Sequence, residues 1–378
     1  MGKKLTLLLV SLLLALLLAE AGVRLSGYDV NSHPHWKFHP QLGWVVDPET
    51  SGLDSVQPSG FRHSAVTVPK PQGIRRLLVL GDSFGLGTAF PYAETFPGVL
   101  EQRLNQTSDE TWQVINLSVD DWGSAQQLIA LQEIGLGFDP DLVVLQAFPF
   151  NDLCNNERLL AFTCSLQDLH RPYFALRDGQ LERTSLHPWR NALRSRLHLF
   201  GLVESSLDRR QGGPHLEGVE NPDQVMRNFF QENARRQGVE YEGAVYAVVP
   251  HELQPPLIRR SWRLTEAIYT RIADLLKERK IPLLAAVVPF SFTFDPQWDE
   301  LRHKIPAPMI PDADSRRLEP FFKRLGAAVV PVRRLIETSG RPPGDFFVSP
   351  QDGHFGARGH AQVAGWILDE LLRQGVVR

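Results

Sequence analysis

A chain of 378 residues, 43% hydrophobic and 22% charged, is long enough to bury a full core and ordinary enough in composition to do so. Its 40 basic and 43 acidic residues are interleaved and leave a net charge of −3, so there is no electrostatic footprint for nucleic acid. With two cysteines and no Cys-His cluster at zinc spacing, a structural metal site is not expected.

The first 25 residues, "MGKKLTLLLVSLLLALLLAEAGVRL", set Lys3 and Lys4 before an apolar run from Leu5 to about Ala19. Such a segment is an export signal or a membrane anchor. Ala19-Glu20-Ala21 resembles a small-residue cleavage site, whereas Val23 and Leu25 let a tilted helix continue. An uncleaved anchor is the favoured reading, with secretion after cleavage as the alternative. Lysines on the near side put everything after about residue 26 outside the cytoplasm, in the periplasm or at the cell surface. Cys154 and Cys164 then lie where a disulfide is permitted, and their spacing leaves open whether it forms.

Residues 26–72 are rich in Pro, Gly and His with weak periodicity and read as an irregular lead-in. Trp36, Trp44 and Phe61 within it point to packing against the core. From residue 73 to 378 the pattern is that of one α/β domain. Short apolar runs at Leu77–Leu80, Val114–Ile115, Leu142–Leu145, Leu283–Val288 and Ala327–Val332 read as buried parallel strands. Leu264, Ile268, Ile272, Leu275 and Leu276 step by three and four, as do Val363, Trp366, Ile367 and Leu371, so each set makes one helix stripe. Strands alternating with helices predict a parallel sheet covered on both faces. Residues 154–261 read as an insertion near the carboxyl edge of the sheet, with a small hairpin around Asp178-Gly179 and a polar, mobile loop at 208–222.

The stretch "LLVLGDSFGLG" (77–87) ends a strand and presents Ser83 between glycines. It lacks the Gly-Lys-Ser/Thr of a phosphate loop and the spacing of a dinucleotide fingerprint. It also falls too early in the chain for the nucleophile elbow of α/β-hydrolases, which follows several strands. Near the other end, "DGHFGARGH" brings Asp352 and His354 onto one loop just before a helix.

Four blocks in order, "VLGDSFGLG", "VINLSVDDWGS" (114–124), "AFPFNDL" (147–153) and "DGHFGARGH", resemble those of the SGNH or GDSL hydrolase family. The likeness covers roughly residues 74–153 and 262–378. The anchor, "LGWVVDPETSG" (42–52) and "PYFALRDGQL" look like the membrane-anchored bacterial branch of that family. The resemblance implies a three-layer α/β/α sandwich with a parallel five-stranded sheet, and a serine esterase or acylhydrolase without metal or organic cofactor.

It also implies roles. Ser83 becomes the nucleophile, His354 the general base and Asp352 the acid that orients it. Asn151 and the Ser83 N–H donate to the oxyanion, and the third donor falls on the Asp121 backbone, or on Gly123 if the loop is shifted. A departure from the family pattern is that many members carry the acid three residues before the histidine, where this chain has Gln351. A second departure is a carboxylate at 121, which would repel the oxyanion unless it points away, is protonated or is paired. Asn116 is expected to tether its loop, Asp82 to organise the nucleophile turn, and His360 to hydrogen-bond within the structure. The expected substrate is an ester on a small molecule, on an O-acetylated glycan or on a lipid. An O-acyltransferase with the same triad, and a membrane-tethered binding protein on a decayed hydrolase fold, are the alternatives.

Overall fold

The computed structural model describes residues 2–26, 35–164, 171–184, 193, 196–203, 232–239, 243–294, 308–349 and 352–377. The polar stretch 208–222 lies outside them.

Helix α1 (Gly2–Leu25) runs without a break through Ala19-Glu20-Ala21 and leaves its leucines exposed. Lys3–Leu25 is long and apolar enough to cross a membrane by length and composition. Its far end touches the body of the protein: Glu20 accepts from the His198 and Leu199 N–H groups, and Arg24 donates to the Arg196 carbonyl.

The lead-in is more regular than its composition predicts. Strands β1 (Trp36–His39) and β2 (Gly43–Val46) form an antiparallel hairpin, and Leu42, Trp44, Val45, Val46 and Phe61 are buried. With four-residue strands and a histidine and glycine at the turn, the pairing is too short to show as an alternating pattern. Arg62 anchors it to the core. Its guanidinium, buried, donates to the carbonyls of Leu86 and Gly87 at 2.9 Å and of Phe90 at 2.7 Å, and pairs with Asp54.

The central sheet contains β3 (Ile74–Leu80), β4 (Thr111–Asn116), β5 (Leu142–Ala147), β8 (Leu283–Val287) and β9 (Ala328–Pro331), all parallel, in the order β4-β3-β5-β8-β9. Each strand lies on one of the predicted apolar runs. Strands buried on both faces are continuously apolar, which is why these runs stand out in the chain. Helices α3 (Phe96–Thr107) and α10 (Ala357–Arg373) pack together, and so do α4 (Ser124–Glu133) and α7 (Pro256–Glu278), so the sheet is sandwiched in an α/β/α arrangement. The predicted stripe of α7 is wholly buried, and on α10 Val363, Ile367 and Leu371 are buried while Trp366 stacks on Phe346. α8 (Ala313–Arg324) packs on β8 and β9, and α9 (Val332–Thr338) follows the last strand.

The chain leaves β3 for β4 on one side and then crosses to β5 on the other, so the order reverses between β3 and β5. In open parallel sheets the crevice beyond the carboxyl ends at such a reversal is where ligands bind. After β5 come α5 (Pro149–Asn156), α6 (Arg158–Cys164) and the hairpin of β6 (Phe174–Arg177) with β7 (Gln180–Arg183), turned at Asp178-Gly179 as predicted. Cys154 and Cys164 form a disulfide across α5 and α6.

Candidate active site

Ser83 is the first residue of the short helix α2 (Ser83–Leu86), two residues past the last strand residue's neighbour Gly81, and is half-buried. The turn is tight for a physical reason. A Cβ on Gly85 would sit 2.1 Å from Ser118 Oγ, so α2 approaches the loop after β4 as closely as only glycine permits. Asp82 caps the helix by accepting from the Phe84 N–H at 3.0 Å, and its own N–H donates to Gln146 Oε1 at 2.9 Å. Asn116 donates to the Gly85 carbonyl and accepts from the Ser118 N–H, so it ties the second loop to the first. Phe84 fills the space behind the serine, its ring 4.8 Å from Phe148, 4.7 Å from Phe355 and 5.1 Å from His354.

The loop before α10 brings its two candidates to the same place. His354 Nε2 lies 2.7 Å from Ser83 Oγ, and His354 Nδ1 lies 2.7 Å from Asp352 Oδ1. Asp352 Oδ1 also accepts from the His354 N–H at 3.1 Å, so the two-residue spacing is enough for the pairing. The loop is closed by bonds from Val348 N–H to the His354 carbonyl and from Ser349 N–H to the Asp352 carbonyl. Gly353 is needed here, because a Cβ would meet Ser291 Oγ at 2.2 Å. Burial opposes the charge of Asp352, but the bonds from the His354 side chain and backbone outweigh it and hold the carboxyl below the usual carboxylate range.

Helix α5 carries the predicted Asn151. Asn151 Nδ2 donates to Asp82 Oδ2 at 3.1 Å, which aims the amide at the nucleophile turn and leaves its second hydrogen for another acceptor. Asn155, one turn later on the same face, donates to the carbonyl and Oδ1 of Asp121 at 2.9 and 3.1 Å. One helix face therefore holds both the nucleophile turn and the loop of the second block. Asp152, buried between them, accepts from the Phe148 N–H and the Tyr269 hydroxyl, and burial pushes its carboxyl up to about 7. Asp82, also buried, is likewise held well above its ordinary value by desolvation.

Asp121 sits at the third position of a turn closed from Trp122 N–H to the Val119 carbonyl, with φ of 60°. That backbone region suits glycine, and Asp and Asn tolerate it. Its carboxylate is paired, with Oδ2 2.8 Å from Arg171 Nη2. Gly123 caps α4 and its N–H donates to Gln126 Oε1 at 3.4 Å, so it is engaged in the helix start.

His360 stands apart from the Ser83–His354–Asp352 line. It is buried, its Nδ1 accepts from the Phe96 N–H at 3.1 Å, and burial followed by the charges of His354 and Arg62 pushes it down to about 3. Its ring sits among Phe90, Phe96 and Phe355. Among the described residues no three His, Cys, Asp or Glu side chains converge as metal ligands do. A cavity of about 30 Å³ borders Ser83 and His354 and is walled by Phe84, Thr88, Phe90 and His360.

Sequence reasoning missed Arg62, Asn155 and Arg171. Each lies in a stretch without motif character, and its contacts at the site are made across the fold, Arg62 with Leu86, Asn155 and Arg171 with Asp121, so no local signal marks it.

No protein-family model and no curated protein matches the chain. It is similar in structure to a lipase/acylhydrolase from Enterococcus faecalis at 13% identity and a TM-score of 0.39, covering 80% of this chain and 97% of that one. It is similar to AlinE4, an SGNH-hydrolase family esterase, at 13% and 0.35, covering 81% and 98%. It is similar to the acetyl xylan esterase AlAXEase at 9% and 0.38, covering 78% and 98%. At such identities and scores, a functional reading rests on the geometry of the site.

Proposed function

We propose that this chain is a serine hydrolase of the SGNH type that acts on esters through an acyl-Ser83 intermediate. The observation that carries the reading is the continuous line from Ser83 Oγ to His354 Nε2 and from His354 Nδ1 to Asp352 Oδ1, each step 2.7 Å. Nothing in a merely structural turn calls for a serine, a base and an orienting acid drawn from positions 271 residues apart.

In this reading His354 takes the Ser83 proton as Oγ attacks the ester carbonyl, and Asp352 holds the imidazole with its Nδ1–H inward and stabilises the imidazolium. The carbonyl oxygen becomes an oxyanion facing the Ser83 N–H at the start of α2, the free amide hydrogen of Asn151 and the Asp121 N–H. Collapse breaks the C–O bond to the alcohol, which leaves with the proton from His354. Water, deprotonated by the same imidazole, then attacks the acyl-serine and releases the acid. An alcohol in place of water makes the same site a transferase.

The cavity beside Ser83, walled by Phe84, Phe90 and His360, supports a short acyl group such as acetyl. α1 and the Cys154–Cys164 disulfide support a membrane-anchored, extracytoplasmic position, with residues 26–72 as lead-in and 154–261 as an insertion into the domain of 73–378. An O-acetylated glycan is the substrate class that fits both. The pairing of Asp121 with Arg171 removes the main argument for a decayed site.

The test is hydrolysis of p-nitrophenyl acetate, butyrate and octanoate by the full-length protein in detergent, beside Ser83→Ala. The expected result is turnover that falls with chain length and vanishes in the variant. Equal rates for both proteins refute the reading.

A further inference from the structure

Arg171 reaches the second-block loop from the far side of the disulfide, and its contacts are concentrated on one residue. Nη2 pairs with Asp121 Oδ2 at 2.8 Å while Nη1 donates to the Asp121 carbonyl at 2.7 Å. The same Nη1 donates to Gln126 Oε1 at 3.0 Å, and the guanidinium stacks over Trp44 at 4.8 Å. The Arg171 side chain is fully buried, whereas that of Asp121 is 27% exposed. Trp44 in turn donates from Nε1 to the Asp120 carbonyl at 3.0 Å. The loop that would supply the third oxyanion donor is thus gripped by the lead-in, by α4, by α5 through Asn155, and by Arg171.

We infer that Arg171 is a positioning residue for the oxyanion hole: it neutralises the Asp121 carboxylate and holds the Asp121 peptide in its left-handed conformation. The inference rests on the hydrolase reading above. The chemistry is specific to arginine. A planar fork spans the carbonyl and carboxylate of one residue, which the ammonium of lysine does not do with the same geometry. The charge and the tie both act. A buried ion pair adds little net stability, but an unpaired carboxylate beside a forming oxyanion raises the barrier directly. With Arg171 in place, the carboxylate at a position suited to glycine costs the hole nothing, and the 154–261 segment becomes part of the catalytic apparatus.

The experiment uses the full-length protein in detergent and an uncharged fluorophosphonate, whose tetrahedral adduct on Ser83 places an oxygen in the hole. Rate constants for labelling, and kcat and KM for p-nitrophenyl acetate, are compared for the parent, Arg171→Gln, Arg171→Lys, Asp121→Asn and the Arg171→Gln/Asp121→Asn pair. Arg171→Gln is expected to label about tenfold or more slowly and to lose kcat with little change in KM. Arg171→Lys should fall between it and the parent, and the double variant should return to within about threefold of Asp121→Asn. A merely structural tie makes the double variant no better than Arg171→Gln, and that result overturns the inference. If Arg171→Gln does not fold, the order of parent, Arg171→Lys and Asp121→Asn decides: Arg171→Lys as fast as the parent overturns it. A parent that does not label at all defeats the hydrolase reading itself, and this inference with it.

Discussion

The bond between Ser83 Oγ and His354 Nε2 is short and its support is redundant: Phe84 packs on the imidazole, Asp352 binds both its Nδ1 and its backbone, and Gly353 lets Ser291 close in behind. With Asn151 as a proposed oxyanion donor, Asn151→Ala is expected to lower kcat by about 10²–10³, with KM nearly unchanged in steady-state assays. Gly85→Ala is expected to disturb both loops at once, because the new Cβ meets Ser118 Oγ, and its reduced melting temperature will show it. Asp152 makes a different prediction. Burial pushes its carboxyl up to about 7 in the folded protein, from an ordinary value of 3.8, so the folded protein keeps a proton that the unfolded chain releases. Stability from this group therefore falls as pH rises between those two values. Asp152→Asn should flatten the decline in melting temperature between pH 4 and pH 7; an unchanged decline would mean that Asp152 is ionised at neutral pH. Ser83, Asp352 and His354 are legible in the sequence because each sits in a short glycine-bracketed block at an element end. Arg171 and Asn155 are not, because what defines them is a partner brought near only by the fold.

Elements were readable where burial imposes a simple pattern. The five strands of the sheet show as apolar runs because both faces are covered, and α7 and α10 show as stripes because one face is. The β1–β2 hairpin does not show in the sequence, because its four-residue strands are too short for an alternating pattern and β2 is buried throughout. Its role is nonetheless structural for the site, since Arg62 just beyond it ties down the carbonyls that follow Ser83. The Cys154–Cys164 disulfide closes a short loop at the end of the Asn151 helix. Its reduction should cost about 2–3 kcal/mol of stability by constraining the unfolded chain less, visible as a lower melting temperature in dithiothreitol that is absent from the Cys154→Ser/Cys164→Ser protein. No difference between oxidised and reduced samples would show that the α5–α6 pair is held by packing alone.

On the scale of the molecule, the reversal of strand order between β3 and β5 brings the first and third blocks to one crevice, and the loop before α10 closes it with the fourth. α1 stands clear of this body with its leucines exposed, and Glu20 and Arg24 fix the joint. An uncleaved anchor predicts that the purified membrane protein starts at or near Met1 by intact mass, whereas cleavage after Ala21 predicts a soluble protein beginning at Gly22. Whether Ser83 carries the acyl group is read by acid quenching during turnover of p-nitrophenyl acetate followed by peptide mass mapping. An acetyl group is expected on the peptide containing Ser83, and none in Ser83→Ala. Turnover by the parent with Ser83 unmodified and the acetyl group on another residue would contradict it.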